Sequence, residues 1–430
     1  MKIAFVCGFA WEPKGTARAR AFPLAAELVN KGHEVSLFLT PYDNPADSGT
    51  KKELEGVRVV NIEVGQRPGF RQVPWIAQRL CGAIRQYSPD VVHIFKPKGY
   101  AGAACTWLLL RGFRSVALDL DDWEGWGGWN NVKTYPWIVK EYIDRQEKWL
   151  IRRVPVLTAA SRALERRAQE LRKSAQGVLY IPNGWSFRKA PTTCESAAPS
   201  MTAGARKSFG LPDRPAIFYG GHFDPADDVL FFCRATEHAA RRFGATLVFV
   251  GEGPEIPKVK QFLAQRDGLI ALFFPRLPHE QFLQLVAASD IAAFPYPDTP
   301  IYQAKCSARI VDYMAMGKAV VTTTVGQNLD YLVDGESGVL ISPGDASRFG
   351  QAIERLLADP ELRLRLGQNA RKRIREKFSW DGAAVENCLA AYGQLSGFSS
   401  LGFWHNNAQS ELKSGEKHAN LHRLGGRQAD

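Results

Sequence analysis

The sequence predicts an α/β fold in two halves, each a parallel sheet flanked by helices. Three observations predict it. Apolar runs of strand length alternate with amphipathic, helix-length segments from Lys2 onward, the grammar of β-loop-α-β units. Residues 189–205, rich in Pro, Ser, Thr and Ala, interrupt that grammar and read as a linker. Beyond them the same alternation restarts. The predicted organisation is a first domain over residues 1–190 and a second over 205–378. A helix over 379–393 crosses back to the first domain, and a polar tail over 394–430, without periodicity, is expected to be disordered.

The composition, 45% hydrophobic and 23% charged over 430 residues, is that of a globular protein of two or three domains. Seven cysteines are scattered without metal-ligand spacing, and an odd number fits no disulfide framework, so a reducing cytoplasm is expected. The opening apolar run is too short for a signal peptide, and no uncharged run reaches the length of a membrane span. The net charge of +11 is uneven. Residues 1–190 hold 29 Lys+Arg against 18 Asp+Glu, whereas the rest holds 26 of each. Nine of the eleven tryptophans share that basic half. The asymmetry points to an anionic partner for the first half, such as a membrane surface on whose inner face the chain sits peripherally. No nucleic acid is expected.

In the first half, Lys2–Cys7 is a strand and residues 8–15 a loop. Thr16 is expected to cap a helix that runs to about Lys31 with Leu24, Leu28 and Val29 on its apolar face; Gly32 ends it before the next strand, Glu34–Leu39. The Gly-x-Gly-x-x-Gly fingerprint of a dinucleotide-binding enzyme is missing. Further strands are predicted over residues 57–64, 90–95, 115–120, 155–161 and 178–184, and helices over 73–87, 103–111 and 135–151, with an arginine-rich helix ending near Lys173. His93, inside a strand, reads as a satisfied core histidine. The loop Asp121-Asp-Trp-Glu-Gly-Trp-Gly-Gly-Trp129 is read as functional, because a buried tryptophan cluster does not need three glycines between its members. The alternative is that Asp121 and Asp122 cap a helix.

In the second half, strands are predicted over residues 216–221, 246–251, 269–274, 290–296, 318–323 and 339–343, and helices over 229–243, 279–288 and 346–357. The stretch from Asp298 to Gly317 joins two of these strands through a polar loop containing Tyr302 and a short helix. Ser307 suits its N-cap and Gly317 its left-handed end. Ligands of parallel sheets bind beyond the carboxyl ends of the strands, and free amides at a helix start favour an anion. Lys305 and Arg309 add positive charge there, and Asp312 shares a face with Arg309, where it can accept hydrogen bonds from sugar hydroxyls. An ordinary solvated first turn with a charge pair is the alternative.

The run Lys305-Cys-Ser-Ala-Arg-Ile-Val-Asp-Tyr-Met-Ala-Met-Gly-Lys-Ala-Val-Val321 resembles the donor-binding signature of the retaining glycosyltransferases of family 4. That family has the GT-B fold, two Rossmann-like domains facing across a cleft. Gly15-Thr-Ala-Arg-Ala-Arg20, Asp90-Val-Val-His93, the pair Thr-Ala-Ala-Ser161 and Ile-Pro-Asn-Gly184, and Phe378-Ser-Trp-Asp381 resemble its other segments in order, so the resemblance covers Met1 to about Tyr392. It implies transfer of a sugar from a nucleotide-sugar donor to a glycan or lipid-linked acceptor with retention of configuration, and no metal or other cofactor. It also implies roles. Asp312 would bind the ribose, and the loop and helix start, with Tyr302, Lys305, Ser307 and Arg309, the diphosphate. Arg276, in Pro275-Arg-Leu277, would lie by the base, and Gly15 and Thr16 near donor phosphates or acceptor. Asp121 or Asp122 would hold a catalytic-side place often filled by His.

The chain departs from the family at three points. Asp312 stands where Glu is usual, and Ala304 where a second Glu is frequent. After Gly220 come Gly221-His-Phe-Asp224 in place of an Arg-Lys phosphate pair, which leaves His222 there and shifts the diphosphate onto Lys305, Arg309 and backbone amides. This marks a variant branch and leaves open a nucleotide-sugar-binding protein without catalysis. A metal-dependent transferase using Asp119-Leu-Asp121 as an Asp-x-Asp pair is a further alternative, against which the duplicated grammar argues. The helix over 73–87 has two readings. Its arc of Ile76, Leu80, Ala83, Ile84 and Tyr87, bordered by Trp75 and Arg79, fits an anionic membrane interface or packing on the sheet.

Overall fold

Two sheets organise the chain in the computed structural model, which describes residues 1–12, 15–65, 69–189 and 199–395. The predicted tail beyond Leu395 and residues 190–198 of the predicted linker lie outside them. The first sheet contains β1 (Lys2–Cys7), β2 (Glu34–Leu39), β3 (Lys51–Leu54), β4 (Val57–Asn61), β5 (Val91–Phe95), β6 (Val116–Leu120), β7 (Val156–Ala159) and β8 (Val178–Tyr180), in the order β3-β4-β2-β1-β5-β6-β7-β8. The second contains β9 (Ala216–Gly220), β10 (Thr246–Val250), β11 (Ile270–Phe274), β12 (Ile291–Phe294), β13 (Ala319–Thr323) and β14 (Val339–Ile341), in the order β11-β10-β9-β12-β13-β14. Every pairing is parallel except β3 with β4. The strand order reverses beside β1 and again beside β9, and such reversals open a crevice at the carboxyl ends of the strands.

Strands buried on both faces need apolar side chains at successive positions, and β5, β6 and β9 are buried throughout. One face of the first sheet is closed by the end of the chain. Trp380, Val385, Cys388 and Tyr392 join Leu24 and Leu28 in the core there. The crossing is fixed where Trp185 N donates to Phe378 O at 2.9 Å and Trp380 N to Trp185 O at 3.0 Å. Gly184 is required at that contact, since a Cβ on it would lie 2.4 Å from Phe378 O. Tyr392 Oη lies 2.8 Å from His93 Nδ1, and Thr158 Oγ1 lies 3.2 Å from Nε2. His93 is thus a satisfied core residue, and burial lowers its pKa to about 4.

Several expectations are corrected. Thr16 caps nothing. The chain enters its first helix through a π-type turn, Ala17–Ala21, before the regular part Phe22–Asn30, and the Thr16 hydroxyl is used elsewhere. The second half of the predicted linker belongs to a helix, Pro199–Ser208. The arc Ile76, Leu80, Ile84 and Tyr87 of the helix Val73–Tyr87 is buried on the sheet, which decides for packing over a membrane interface. Five further strands and α-helices escape the sequence reading altogether, namely β3 and the helices Ile256–Ala264, Pro300–Ala304, Asn328–Tyr331 and Pro360–Lys377.

Candidate active site

A cavity of about 600 Å³ opens between the two domains. It is lined by residues that follow β6 and β9, by Gly15 and Thr16 at the start of the first helix, and by the loop and helix start from Lys305 to Asp312.

The second domain supplies a cationic wall. Ser307 caps the helix Ala308–Ala315, its Oγ accepting from Arg309 N at 3.2 Å and Ile310 N at 3.4 Å. Gly317 ends the turn at φ +65. Arg309 lies 4.2 Å over the Phe282 ring and 3.5 Å from Asp312 Oδ2. The buried Asp312 carboxylate also lies 3.2 Å from His279 Nε2. Two oxygens offer about four acceptor sites, so capacity remains for hydroxyl donors. His222 lines the cavity, and burial, with Lys305 and Arg309 nearby, lowers its pKa, leaving it neutral at neutral pH.

Two predicted site residues do not line this cavity. Tyr302 is buried, because the short helix Pro300–Ala304, capped by Thr299, turns its ring inward. Its hydroxyl donates to Asp227, a carboxyl that burial pushes up to about 6 against the pull of Lys305. The Tyr302 ring lies 4.5 Å from Lys305 Nζ, so it supports that lysine from behind. Arg276 instead reaches across to the first domain and pairs with Glu12, which also holds Arg18 at 3.1 Å.

The first domain supplies a carboxylate wall. The Thr16 hydroxyl donates to Asp121 Oδ2 at 3.0 Å. Lys96, at the end of β5 with φ +70, places its ammonium 3.3 Å from Asp121, 2.5 Å from Asp122 and 3.2 Å from Glu124. Burial lowers its pKa, but the three carboxylates outweigh burial and hold it well above the ordinary lysine value. Burial pushes the Asp121 carboxyl up to about 7, with Asp122, Asp119 and Glu124 adding to the rise and Lys96 opposing it. Asp121, Asp122 and Glu124 offer oxygens within 4.8 Å of one another, a grouping able to hold a cation, and the Lys96 ammonium lies among them.

The Asp-x-Asp alternative is not supported by this geometry. Asp119 is bound on both oxygens by Arg20, at 2.7 and 2.6 Å, and by Thr158 at 2.5 Å. Arg20 further donates to Asn183 Oδ1 and Ile181 O, tying β6 to the end of the first domain. Asp121 and Asp122 do not act as helix caps either; the next long helix, Trp137–Arg153, starts from Pro136. The glycines of the acidic loop have a structural reason, because a Cβ on Gly128 would lie 2.0 Å from Trp123 O. Glu147 receives the Glu124 and Gly125 amides, and Asp144 the Trp126 amide, which fixes the loop. Sequence reasoning missed Lys96, Arg20 and His279. A lysine directly after an apolar strand run, at the end where ligands bind, was the available signal for Lys96.

Two doubly wound domains facing across a cleft form the architecture of the GT-B sugar transferases. Residues 15–184 match the family described as "Glycosyl transferase 4-like domain" and residues 214–359 the one described as "Glycosyl transferases group 1". The chain belongs to these family-4-like GT-B glycosyltransferases. It is 26% identical to an alpha-D-kanosaminyltransferase of Streptomyces kanamyceticus over 55% of this chain and 61% of that protein, so the match spans less than two thirds of that relative. It is 23% identical to an uncharacterized glycosyltransferase of Methanocaldococcus jannaschii over 90% of this chain and 96% of that one. Among solved structures, sucrose-phosphate synthase from Thermosynechococcus elongatus superposes with a TM-score of 0.73 at 21% identity, covering 93% of this chain and 100% of that one. An Anabaena protein solved with UDP-glucose superposes at 0.66 and 18% identity, covering 92% and 100%.

Proposed function

We propose that the chain transfers a sugar from a nucleotide-sugar donor to a glycan or lipid-linked acceptor with retention of configuration. The observation that carries this reading is the opposition of Lys305, Arg309 and the capped helix start to Asp121 and Thr16 across one cavity. The donor diphosphate sits at the helix start, and Asp312 accepts from its ribose. As the bond from the sugar C1 to the diphosphate oxygen breaks, its electron pair moves to the leaving group, where Lys305, Arg309 and backbone amides offset the charge, while the acceptor oxygen bonds C1 on the same face and its proton passes to the departing phosphate oxygen. Asp121 and Asp122 hold hydroxyls on the opposite side. The protein solved with UDP-glucose, being alike in fold, supports the donor class.

The experiment is a thermal-shift screen of nucleotide sugars, followed by donor hydrolysis and transfer with and without chelator, and NMR of the product anomer. A ligand at about 100 times its dissociation constant stabilises by roughly 2.7 kcal/mol, readily seen as a shift in melting temperature. Failure of every nucleotide sugar to shift the transition overturns the donor assignment. Binding without turnover establishes a binding protein, and loss of turnover with chelator a metal-dependent transferase.

A further inference from the structure

A second groove, of about 1210 Å³, lies on the outer face of the first domain, away from the cleft residues. Residues of the helices Val73–Tyr87 and Trp137–Arg153 line it, with the helix Gly99–Leu110 between them. That helix, Gly-Tyr-Ala-Gly-Ala-Ala-Cys-Thr-Trp-Leu-Leu-Leu, is apolar nearly all round. Its inner residues Ala101, Ala104, Cys105 and Leu108 are buried in the core. Its outer stripe, Ala103, Thr106, Trp107 and Leu110, follows the i, i+3, i+4, i+7 spacing of a second apolar face and lines the groove. A helix apolar on both sides is one covered on both sides, yet among the described residues nothing fills this groove.

The rim repeats the pattern. Trp137 is 68% exposed, Ile138 66% and Leu110 74%, and all three large apolar side chains line the groove. Arg111 and Arg145 line the groove beside Glu141, which holds Arg145 at 2.7 Å. Arg111 lies 4.8 Å over the Trp107 ring. Arginine and tryptophan around an apolar floor suit the boundary between lipid headgroups and acyl chains.

We propose that this groove docks the first domain on an anionic lipid bilayer, its floor taking hydrocarbon and its arginines the headgroup phosphates. Charge complementarity selects this occupant. A second copy would set one arginine rim against another. Residues 396–430 carry four Lys+Arg against three Asp+Glu, so they bring no negative charge to a basic rim. The groove also lies in the basic half of the chain, since residues 1–190 carry the +11.

The test is co-sedimentation of the full chain with vesicles of phosphatidylcholine alone and of phosphatidylcholine mixed with phosphatidylglycerol. It is run at ~0.1 M and ~1 M salt, between which the screening length falls from about 10 Å to about 3 Å. The chain should sediment with the anionic vesicles at low salt and leave them at high salt. Arg111→Ala should lower partitioning roughly fivefold, and Ile138→Ser roughly tenfold. Both side chains are exposed, so both variants should keep the parental melting temperature. Equal sedimentation with neutral vesicles, none with anionic ones, parental partitioning by both variants, or a dimer in light scattering that Ile138→Ser dissolves would each overturn the proposal. The surface stands apart from the transfer reaction. Vesicle binding by a chain that turns over no nucleotide sugar supports it while removing the proposed function, and turnover without vesicle binding does the reverse.

Discussion

Lys96→Met tests the acidic wall most directly. The substitution removes an ammonium that lies 3.3 Å from Asp121, 2.5 Å from Asp122 and 3.2 Å from Glu124. At an effective dielectric of about 20, charges about 3.3 Å apart interact by roughly 5 kcal/mol, an upper bound before relaxation. Breaking a buried pair by deleting one partner costs about 3–5 kcal/mol. Glu124 keeps Lys98, whereas Asp121 keeps the Thr16 hydroxyl. The Asp121 carboxyl, already raised to about 7 by burial and its acidic neighbours, therefore rises further. Each unit of rise corresponds to about 1.4 kcal/mol, so a rise of at least about one unit is expected. A carboxyl raised in the folded chain binds a proton that the unfolded chain has released, so its stabilising contribution falls as pH rises from the unfolded value, 3.8, to the folded one, about 7, and is flat above. In Lys96→Met that falling window extends further into alkali. The variant should be most stable, relative to the parent, in acid. Its transfer rate, needing the ionised carboxylate, should acquire an acid limb displaced upward by about one unit or more, while donor affinity, set on the opposite wall, stays within about twofold. Melting temperatures and rate profiles over about pH 5–9, with donor titration at each end, measure all three. Lys96→Arg, which retains the charge, should restore part of the profile. A Lys96→Met protein with the parental profile and parental melting temperature would refute the reasoning.

Three further outcomes are expected. Asp312→Ala should weaken nucleotide-sugar binding roughly 10- to 100-fold, the worth of one or two hydrogen bonds to a charged acceptor; isothermal titration showing parental affinity would sink the ribose assignment. Lys305→Ala and Arg309→Ala should each lower turnover by about 10² or more while moving KM far less, as for groups that act on a leaving group, and equal losses in both parameters would point to uniform binding instead. Gly184→Ala should destabilise the chain by about 1–3 kcal/mol, since its Cβ would meet Phe378 O at 2.4 Å, and an unchanged melting temperature would show that the crossing yields without cost.

The fold was legible where local chemistry marks both ends of an element. The helix Val229–Phe243 is bounded by Asp228, which accepts from Phe231 N, and by Gly244 at φ +61, and sequence reasoning finds both limits. By contrast, β3 reads Lys-Lys-Glu-Leu and has no apolar alternation. It is an edge strand held to β4 by a turn at Glu55 and Gly56, both at positive φ, and charge is how edges are protected. The helix Pro360–Lys377 buries a narrow line of Leu362, Leu366, Ala370 and Ile374 under a strongly charged surface, so its period is easily lost. At the site, Lys305, Ser307, Arg309 and Asp312 could be read because helix-start chemistry is local. Tyr302 was misread because its orientation depends on Asp227, 75 residues away in the chain. Arg20 and Asp119 meet across 99 residues, a distance over which spacing in the sequence carries no information.

The return of the chain's end to the first sheet has a consequence for how the molecule is made. Trp380, Ala384, Val385, Cys388, Ala391, Tyr392 and Leu395 close an apolar face whose other buried members lie within the first 181 residues. On a ribosome, that face is synthesised about 200 residues before its cover. At about 5–20 residues per second the exposed surface waits roughly 10–40 s. The second domain, whose strands all fall between Ala216 and Ile341, can close its sheet in that interval. The molecule thus completes its later half before its earlier one, and a chain released early leaves the basic, tryptophan-rich half as the sticky fragment.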